Sequence, residues 1–219
     1  MTSFVNSTKI CEQILKYYIS LLKSKDKMHN IICLEAEWKY NSLVKSQQFD
    51  LKTEPLLHWL KEFYACDVVY RHILSKDDLV YYLSYIQNHK REFKNHDIIY
   101  IACHGWNHSI SLEGDDGDID LQELAELVPG VFEDRIVHFG CCKTLSNIEA
   151  AQAFKDSCGA RLVSGYAVSV DAMKSAIADI ALFNDLMQCE NVGIIKNQER
   201  SKFRKTYDSL LEELHFVAV

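Results

Sequence analysis

The sequence has little proline and little glycine. Of its 219 residues only 2 are proline, Pro55 and Pro129, and 8 are glycine. This scarcity excludes a proline-rich linker, and the sequence contains neither a low-complexity segment nor an internal repeat. Because 48% of the residues are hydrophobic, the chain has enough apolar material for a large core. We therefore expect residues 1–219 to form a single domain.

Long apolar runs and a surplus of basic charge are also missing. No run approaches the roughly 18 apolar residues of a membrane helix, and the first residues lack a signal-peptide pattern. Acidic residues outnumber basic ones, 31 to 24, which disfavours nucleic acid as a ligand. There is no glycine-rich dinucleotide motif and no Walker motif. These absences predict a protein without membrane or direct nucleic-acid partners and without a nucleotide site.

The cysteines do not form a disulfide pattern. All but one adjacent pair are spread singly along the chain, and several lie within apolar runs. Such a distribution is typical of buried thiols in a reducing compartment. It therefore predicts free thiols and a cytoplasmic location. The eight positions are Cys11, Cys33, Cys66, Cys103, Cys141, Cys142, Cys158 and Cys189.

Short apolar runs alternate with segments of helical periodicity along most of the chain. Strands are expected near residues 30–38, 66–73, 96–103, 135–141 and 161–168, with a short edge strand near 215–219. Helices are expected over 8–25, 54–64, 75–90, 146–159 and 171–188, and a polar helix over 197–214. Ser75 and Ser146 are the expected N-caps. This alternation predicts an α/β fold with a mostly parallel central sheet flanked by helices.

Two strand ends carry the residues for a chemical reaction. His104 and Gly105 follow one apolar run, and Cys141 and Cys142 follow another. Parallel strands bring their carboxyl ends to one edge of a sheet, so a Cys–His catalytic pair is expected there. An imidazole and the N-terminus of the helix expected near Ser146 would both favour the thiolate of Cys142. The backbone N–H groups of Gly105 and Cys142 are the candidate oxyanion donors.

The segments ACHGW (102–106) and HFGCCKT (138–144) resemble the caspase-like (clan CD) cysteine peptidases, most closely their CHAT branch. The resemblance implies a caspase-like three-layer sandwich, with Cys142 as nucleophile, His104 as its partner and Cys141 in the small-residue position. It also implies cleavage of a protein substrate without a cofactor, as a regulated effector in bacterial defence or cell death with a separate activating partner. The sequence departs from the family at Leu145, where glycine is usual, and in the tryptophan often seen after the fifth strand, which is either replaced by Tyr166 or absent.

The resemblance also implies where the substrate side chain binds. Its pocket would be formed by the loops after the first, fourth and fifth strands, which here carry Glu35, Glu37 and Asp171. Acidic walls favour a Lys or Arg side chain before the cleaved bond. The alternative is that Glu35 and Glu37 are surface residues and that Asp171 only caps its helix.

Other interpretations of these residues stay open. Cys141 is the alternative nucleophile, although neighbours on an extended chain face opposite ways and Cys141 is then expected to point into the fold. The chain is alternatively an inactive caspase-like interaction domain. A zinc site is a third possibility, because His and Cys residues crowd one region without a C-x-x-C pair. That region holds Cys103, His104, His108, His138, Cys141 and Cys142.

An acidic run invites a calcium interpretation. It comprises Glu113, Asp115, Asp116, Asp118 and Asp120, but it lacks the EF-hand pattern. A solvated hairpin turn, with Asp120 near the start of the next helix, is the expected structure.

Overall fold

The computed structural model describes residues 29–37, 53–113 and 117–219. The helix expected over 8–25, the predicted strand end at Trp38, and Asp115 and Asp116 lie outside these residues. Six strands of the described chain form a central sheet in the order β2-β1-β3-β7-β8-β9. The first five are parallel, and β9 is antiparallel to β8. Their bounds are β1 Ile31–Glu35, β2 Val68–His72, β3 Ile98–Ala102, β7 Ile136–Phe139, β8 Leu162–Tyr166 and β9 Phe216–Ala218.

Helices cover both faces of this sheet, so the predicted α/β architecture with a mostly parallel sheet is confirmed. One apolar core contains residues of α2, α3 and α4, and the other contains residues of α1, α5, α6 and α7. Successive strand residues alternate between the two cores: Ile32 and Leu34 face one, Ile31 and Cys33 the other. The helices are α1 Thr53–Tyr64, α2 Lys76–Asn88, α3 Leu121–Leu127, α4 Ile148–Cys158, α5 Ala172–Leu186, α6 Lys202–Thr206 and α7 Asp208–Glu213, with a 3₁₀ helix at Val192–Lys196. Within the described residues, no helix has the length and apolar character needed to cross a membrane.

Side-chain caps set most helix starts. Ser75 is the N-cap of α2, as expected, and it forms a reciprocal capping box with Asp78. At α4 the expectation of Ser146 was wrong, because Asn147 is the N-cap and its side chain accepts a hydrogen bond from Ala150 N–H at 2.9 Å. The helix ends at Gly159, the last residue of the expected range, whose φ of 70° is left-handed.

One further element differs from the expectation. The polar helix expected over 197–214 is two short helices, α6 and α7, which meet at Tyr207. The expected edge strand near the end of the chain is present as β9. It closes the β8 side of the sheet.

A second, antiparallel sheet lies after β3. It consists of β4 His104–Trp106, β5 Ser109–Ser111 and β6 Asp118–Asp120, in that order. The hairpin leading into a helix is as predicted, and Asp120 caps α3 through Glu123 N–H at 2.8 Å. Strand β4 was not expected: His104 lies in this second sheet, directly after the central strand that delivers it.

Candidate active site at the carboxyl edge of the sheet

The strands that carry His104 and Cys142 are direct neighbours. β3 and β7 pair in parallel, with Ile98 opposite Ile136 and Ile101 opposite Phe139. Beyond this pairing β3 continues through Cys103 into β4, and β7 continues through Gly140 to the two cysteines. The structure therefore brings both segments to the same edge of the sheet.

Gly105 packs directly against the cysteine loop. A β-carbon added to Gly105 would come closer than 3.0 Å to the Cys142 carbonyl oxygen, to Thr144 Oγ1 and to Cys141 Cβ. Two of these three atoms belong to groups that cannot swing away: a carbonyl and the Cβ of a buried cysteine. Only glycine fits this contact, and it holds the residue after His104 against the backbone of Cys142.

Further contacts fix the same loop. Thr144 Oγ1 donates to the Ser109 carbonyl of β5 at 3.1 Å. The Lys143 ammonium lies 3.8 Å from the centre of the Trp106 ring of β4, a cation–π contact. Lys143 also has a φ of 54°, in the left-handed region that non-glycine residues seldom occupy. Such backbone strain is common next to functional groups.

The two adjacent cysteines have different environments. Cys141 is fully buried, as the alternation predicts, and its Sγ lies 3.4 Å from Cys103 Sγ and 3.3 Å from the Ile101 carbonyl. Burial, reinforced by the contact with Cys141, raises the pKa of the Cys103 thiol. Cys142 is partly exposed. Of the adjacent pair, Cys142 is the thiol that solvent reaches.

The sulfur of Cys142 contacts the loop that follows β8. The Val170 N–H donates to Cys142 Sγ at 3.4 Å, and the Val170 carbonyl oxygen lies 3.9 Å from the same sulfur. The N–H therefore gives the sulfur a hydrogen-bond donor that the backbone holds in place. This backbone donor was missed by sequence reasoning, because it lies far from Cys142 along the chain and is not a side chain.

A buried network holds α5, whose first turn follows Val170. The Asp179 carboxylate accepts hydrogen bonds from Tyr100 Oη at 2.5 Å and from Tyr166 Oη, and it lies 2.7 Å from His138 Nε2. These partners come from β3, β8 and β7, so one carboxylate ties α5 to three strands. Tyr166, one of the departures from the caspase-like pattern, is thus a fully buried residue of this network.

The three carboxylates expected around the substrate have different surroundings. Glu35 is fully buried; its side chain accepts from Thr53 N–H at 3.1 Å, at the start of α1, and from Tyr70 Oη at 2.8 Å. Glu37 is only 2% exposed. Asp171 is exposed and caps α5, accepting from Met173 N–H and Lys174 N–H at 3.0 Å each. The three do not share one environment, and Asp171 is the carboxylate that solvent reaches.

A histidine–carboxylate pair at the same edge was not anticipated. His72, the last residue of β2, lies 2.5 Å from Glu113 through its Nε2, and Glu113 also accepts the backbone N–H of Glu37. Glu113 therefore ties the ends of β1 and β2 to the segment after β5. Among the described residues, no group of three or more His, Cys, Asp or Glu side chains is placed to hold a metal ion.

The sequence matches one family model. The description of that model is "Family of unknown function (DUF6642)", and the match covers residues 27–217. No curated protein matches the chain. A crystal structure of a periplasmic ribose ABC transporter from Conexibacter woesei DSM 14684 is similar at a TM-score of 0.30 and 17% identity, covering 80% of this chain and 52% of that chain. The chain thus spans about half the length of that protein. The structural similarity is too low to support a conclusion about the fold or a ligand.

Proposed function

The chain belongs to DUF6642, a family of unknown function, and from its own residues we propose that it is a cysteine endopeptidase with a caspase-like fold. Cys142 is the nucleophile and His104 the general base. The observation that carries the proposal is the packing of Gly105 on the Cys142 carbonyl, because it places the residue after His104 against the one accessible cysteine of the pair.

Each proposed step uses a group at this edge. Cys142 Sγ attacks the substrate carbonyl carbon while His104 takes the thiol proton, and the backbone N–H groups of Gly105 and Cys142 hold the oxyanion. His104 then returns the proton to the leaving amine as the peptide bond breaks, which leaves a thioester on Cys142. Water hydrolyses the thioester, releases the carboxylic acid and restores the thiol. These steps use no cofactor.

The substrate of this reaction is a protein, and its recognition rests on Asp171. The carboxylate is exposed and only one residue beyond Val170, whose backbone contacts Cys142 Sγ. A negative group there favours Lys or Arg before the cleaved bond. We place the enzyme among regulated effectors of defence or cell death that a partner protein activates, as the caspase-like resemblance implies.

A comparison of two cysteines tests the nucleophile without needing an activator. Cys142 and Cys189 are both free and partly exposed. Alkylation by iodoacetamide at neutral pH, followed by mass spectrometry, is expected to modify Cys142 faster than Cys189, because the proposed imidazole partner favours the Cys142 thiolate, whereas burial raises the pKa of the Cys189 thiol. His104→Ala is expected to lower the alkylation rate of Cys142 and to leave that of Cys189 unchanged. Equal rates, unaffected by His104→Ala, would argue for an inactive interaction domain.

A survey of new protein termini tests the reaction itself. Lysate is treated with the native protein, with Cys142→Ala or with Cys189→Ala as the matched control. New termini are expected with the native protein and with Cys189→Ala, and none with Cys142→Ala. Lys or Arg before most cuts would support the role of Asp171, whereas cuts after Asp would refute it and keep the enzyme. The same termini with Cys142→Ala would refute the proposed nucleophile.

A further inference from the structure

A cavity lies at the opposite edge of the sheet from Cys142. Its volume is about 600 Å³, within the range of small-molecule sites. Residues directly before β3, β7 and β8 line it, namely Asp97, Arg135 and Arg161, together with residues that follow α2. It is separate from the proposed active site and shares none of its residues.

Arg135 is a buried cation without a complete set of partners. The residue is only 9% exposed, and its buried Nη1 has no hydrogen-bond partner in the described part of the chain. Burial lowers the pKa of this guanidinium, although the Asp97 charge opposes the effect. A buried cation with an unmet donor is costly unless an anion approaches it.

The neighbouring residues Asp97 and Arg161 have an acceptor and a donor, respectively, without a hydrogen-bond partner among the described residues. Asp97 Oδ2 is 2.6 Å from His29 Nδ1 and accepts from Arg161 Nη2 at 2.6 Å. The buried Asp97 Oδ1 and Arg161 Nε, however, have no hydrogen-bond partner among the described residues. Three side chains that line the cavity thus each carry a buried polar atom without a partner among the described residues: a donor on Arg135, a donor on Arg161 and an acceptor on Asp97.

The other residues that line the cavity limit the chemical class of ligand that it can bind. Lys90 and Lys94 add positive charge, whereas Glu133, Asp134 and Glu190 add negative charge, so a polyphosphate would meet repulsion. No described residue of the lining is Phe, Tyr, Trp or a large aliphatic side chain, so a nucleotide base would find no such side chain to pack against. A single phosphate would satisfy the arginine donors, and a hydroxyl group would satisfy Asp97 Oδ1.

We propose that this cavity binds a phosphorylated polyol or sugar, with its phosphate on Arg135 and Arg161 and a hydroxyl on Asp97. The site does not depend on the proposed peptidase activity. The ligand adds the hydrogen bonds that the buried groups lack, so it is expected to stabilise the folded protein as well as bind it.

Calorimetric titration with myo-inositol monophosphate, at low salt, tests the site. Inositol and inorganic phosphate, the two parts of this ester, are titrated separately. Inositol is expected not to bind, and phosphate is expected to bind more weakly than the ester. Arg135→Gln is expected to weaken binding of the ester by about tenfold or more, since a charge-assisted hydrogen bond is lost. Arg200→Gln, at an exposed arginine outside the lining, is the matched control and is expected to bind as the native protein does.

A second variant covers the case in which Arg135→Gln does not fold. Lys90→Gln combined with Lys94→Gln changes only exposed residues of the same cavity and is expected to weaken binding several-fold. Absence of saturable binding by the ester, or binding unchanged in these lining variants, would overturn the proposal. Phosphate alone binding as tightly as the ester would overturn the role of Asp97.

Discussion

Gly105 shows how one residue decides the geometry of the proposed site. Its lack of a side chain lets β4 lie directly on the loop of Cys141 and Cys142, and Thr144 then anchors that loop to β5. The need for glycine here comes from space, since the atoms that crowd the position belong to a neighbouring segment. Gly117 differs, because nothing lies within 4 Å of its added β-carbon and its φ of 77° alone favours glycine.

Gly105→Ala is therefore expected to be more damaging than Gly117→Ala. Forcing a methyl group against backbone atoms costs about 3 kcal/mol, whereas a left-handed alanine costs about 1 kcal/mol. Urea unfolding measures both variants. Gly105→Ala is also expected to change the alkylation rate of Cys142, and Gly117→Ala to leave it unchanged. Equal effects of the two substitutions would show that close packing at Gly105 is not required.

The orientation or role of a single residue could be predicted from sequence where its cause is local. The inward direction of Cys141 follows from strand alternation, and the cap formed by Asp171 follows from its place before a helix. The Val170 donor to Cys142 was not predictable, because it depends on how the loop after β8 approaches β7. The same holds for the contact between His72, at the end of β2, and Glu113, in the segment after β5.

At the scale of elements, neighbouring cap residues compete for the start of α4. Both serine and asparagine are good N-caps, so the sequence SN at 146–147 does not by itself say which one serves. In the structure Asn147 bonds Ala150 N–H, and Ser146 Oγ lies 3.4 Å from His108 Nδ1 instead.

Asn147→Ala is expected to destabilise the protein by about 1 kcal/mol, since it removes the cap. Ser146→Ala is the matched control and is expected to stay within about 0.5 kcal/mol of the native protein. Chemical denaturation of both variants provides the measurement. A larger loss with Ser146→Ala would mean that the helix begins one residue earlier.

Short elements were the hardest to predict. β4 has three residues, too few for an alternation pattern, and its pairing depends on a tight turn in which Asn107 and His108 have φ values of 42° and 56°. The break between α6 and α7 falls at Tyr207, with neither glycine nor proline to mark it. Tertiary packing, with Phe203 and Leu211 in the same core, sets these positions.

At the scale of the whole molecule, alternation of elements predicts the parallel sheet, but the strand order depends on long-range contacts. One such contact joins the amino ends of three strands through Asp97, at the start of β3. His29 precedes β1 and Arg161 precedes β8, and both contact the same carboxylate oxygen. Burial raises the pKa of Asp97, but these two partners outweigh it and hold the pKa below its usual range.

The pH dependence of stability should report this contact. A carboxyl group whose pKa is lowered by folding stabilises the protein above its ordinary pKa of about 3.9, and this stabilisation is lost as the pH falls through the lowered value. The difference in unfolding free energy between the native protein and Asp97→Asn is therefore expected to shrink on going from about pH 5 to about pH 3. Asp77→Asn, at an exposed carboxylate of α2, is the control. A difference that stays constant for Asp97→Asn would contradict the assignment.

The antiparallel strand β9 has a consequence for how the protein is made. β8 is bonded on one side to β7, and its other side waits for β9, which closes it through paired bonds between Val163 and Val219 at 3.1 and 2.9 Å. A ribosome synthesises β8 well before β9, so the nascent chain carries an open, apolar strand edge in the interval. Open edges of this kind pair with other chains. We therefore expect β8 to need shielding during translation until β9 has been made, although in the folded protein β9 covers this edge.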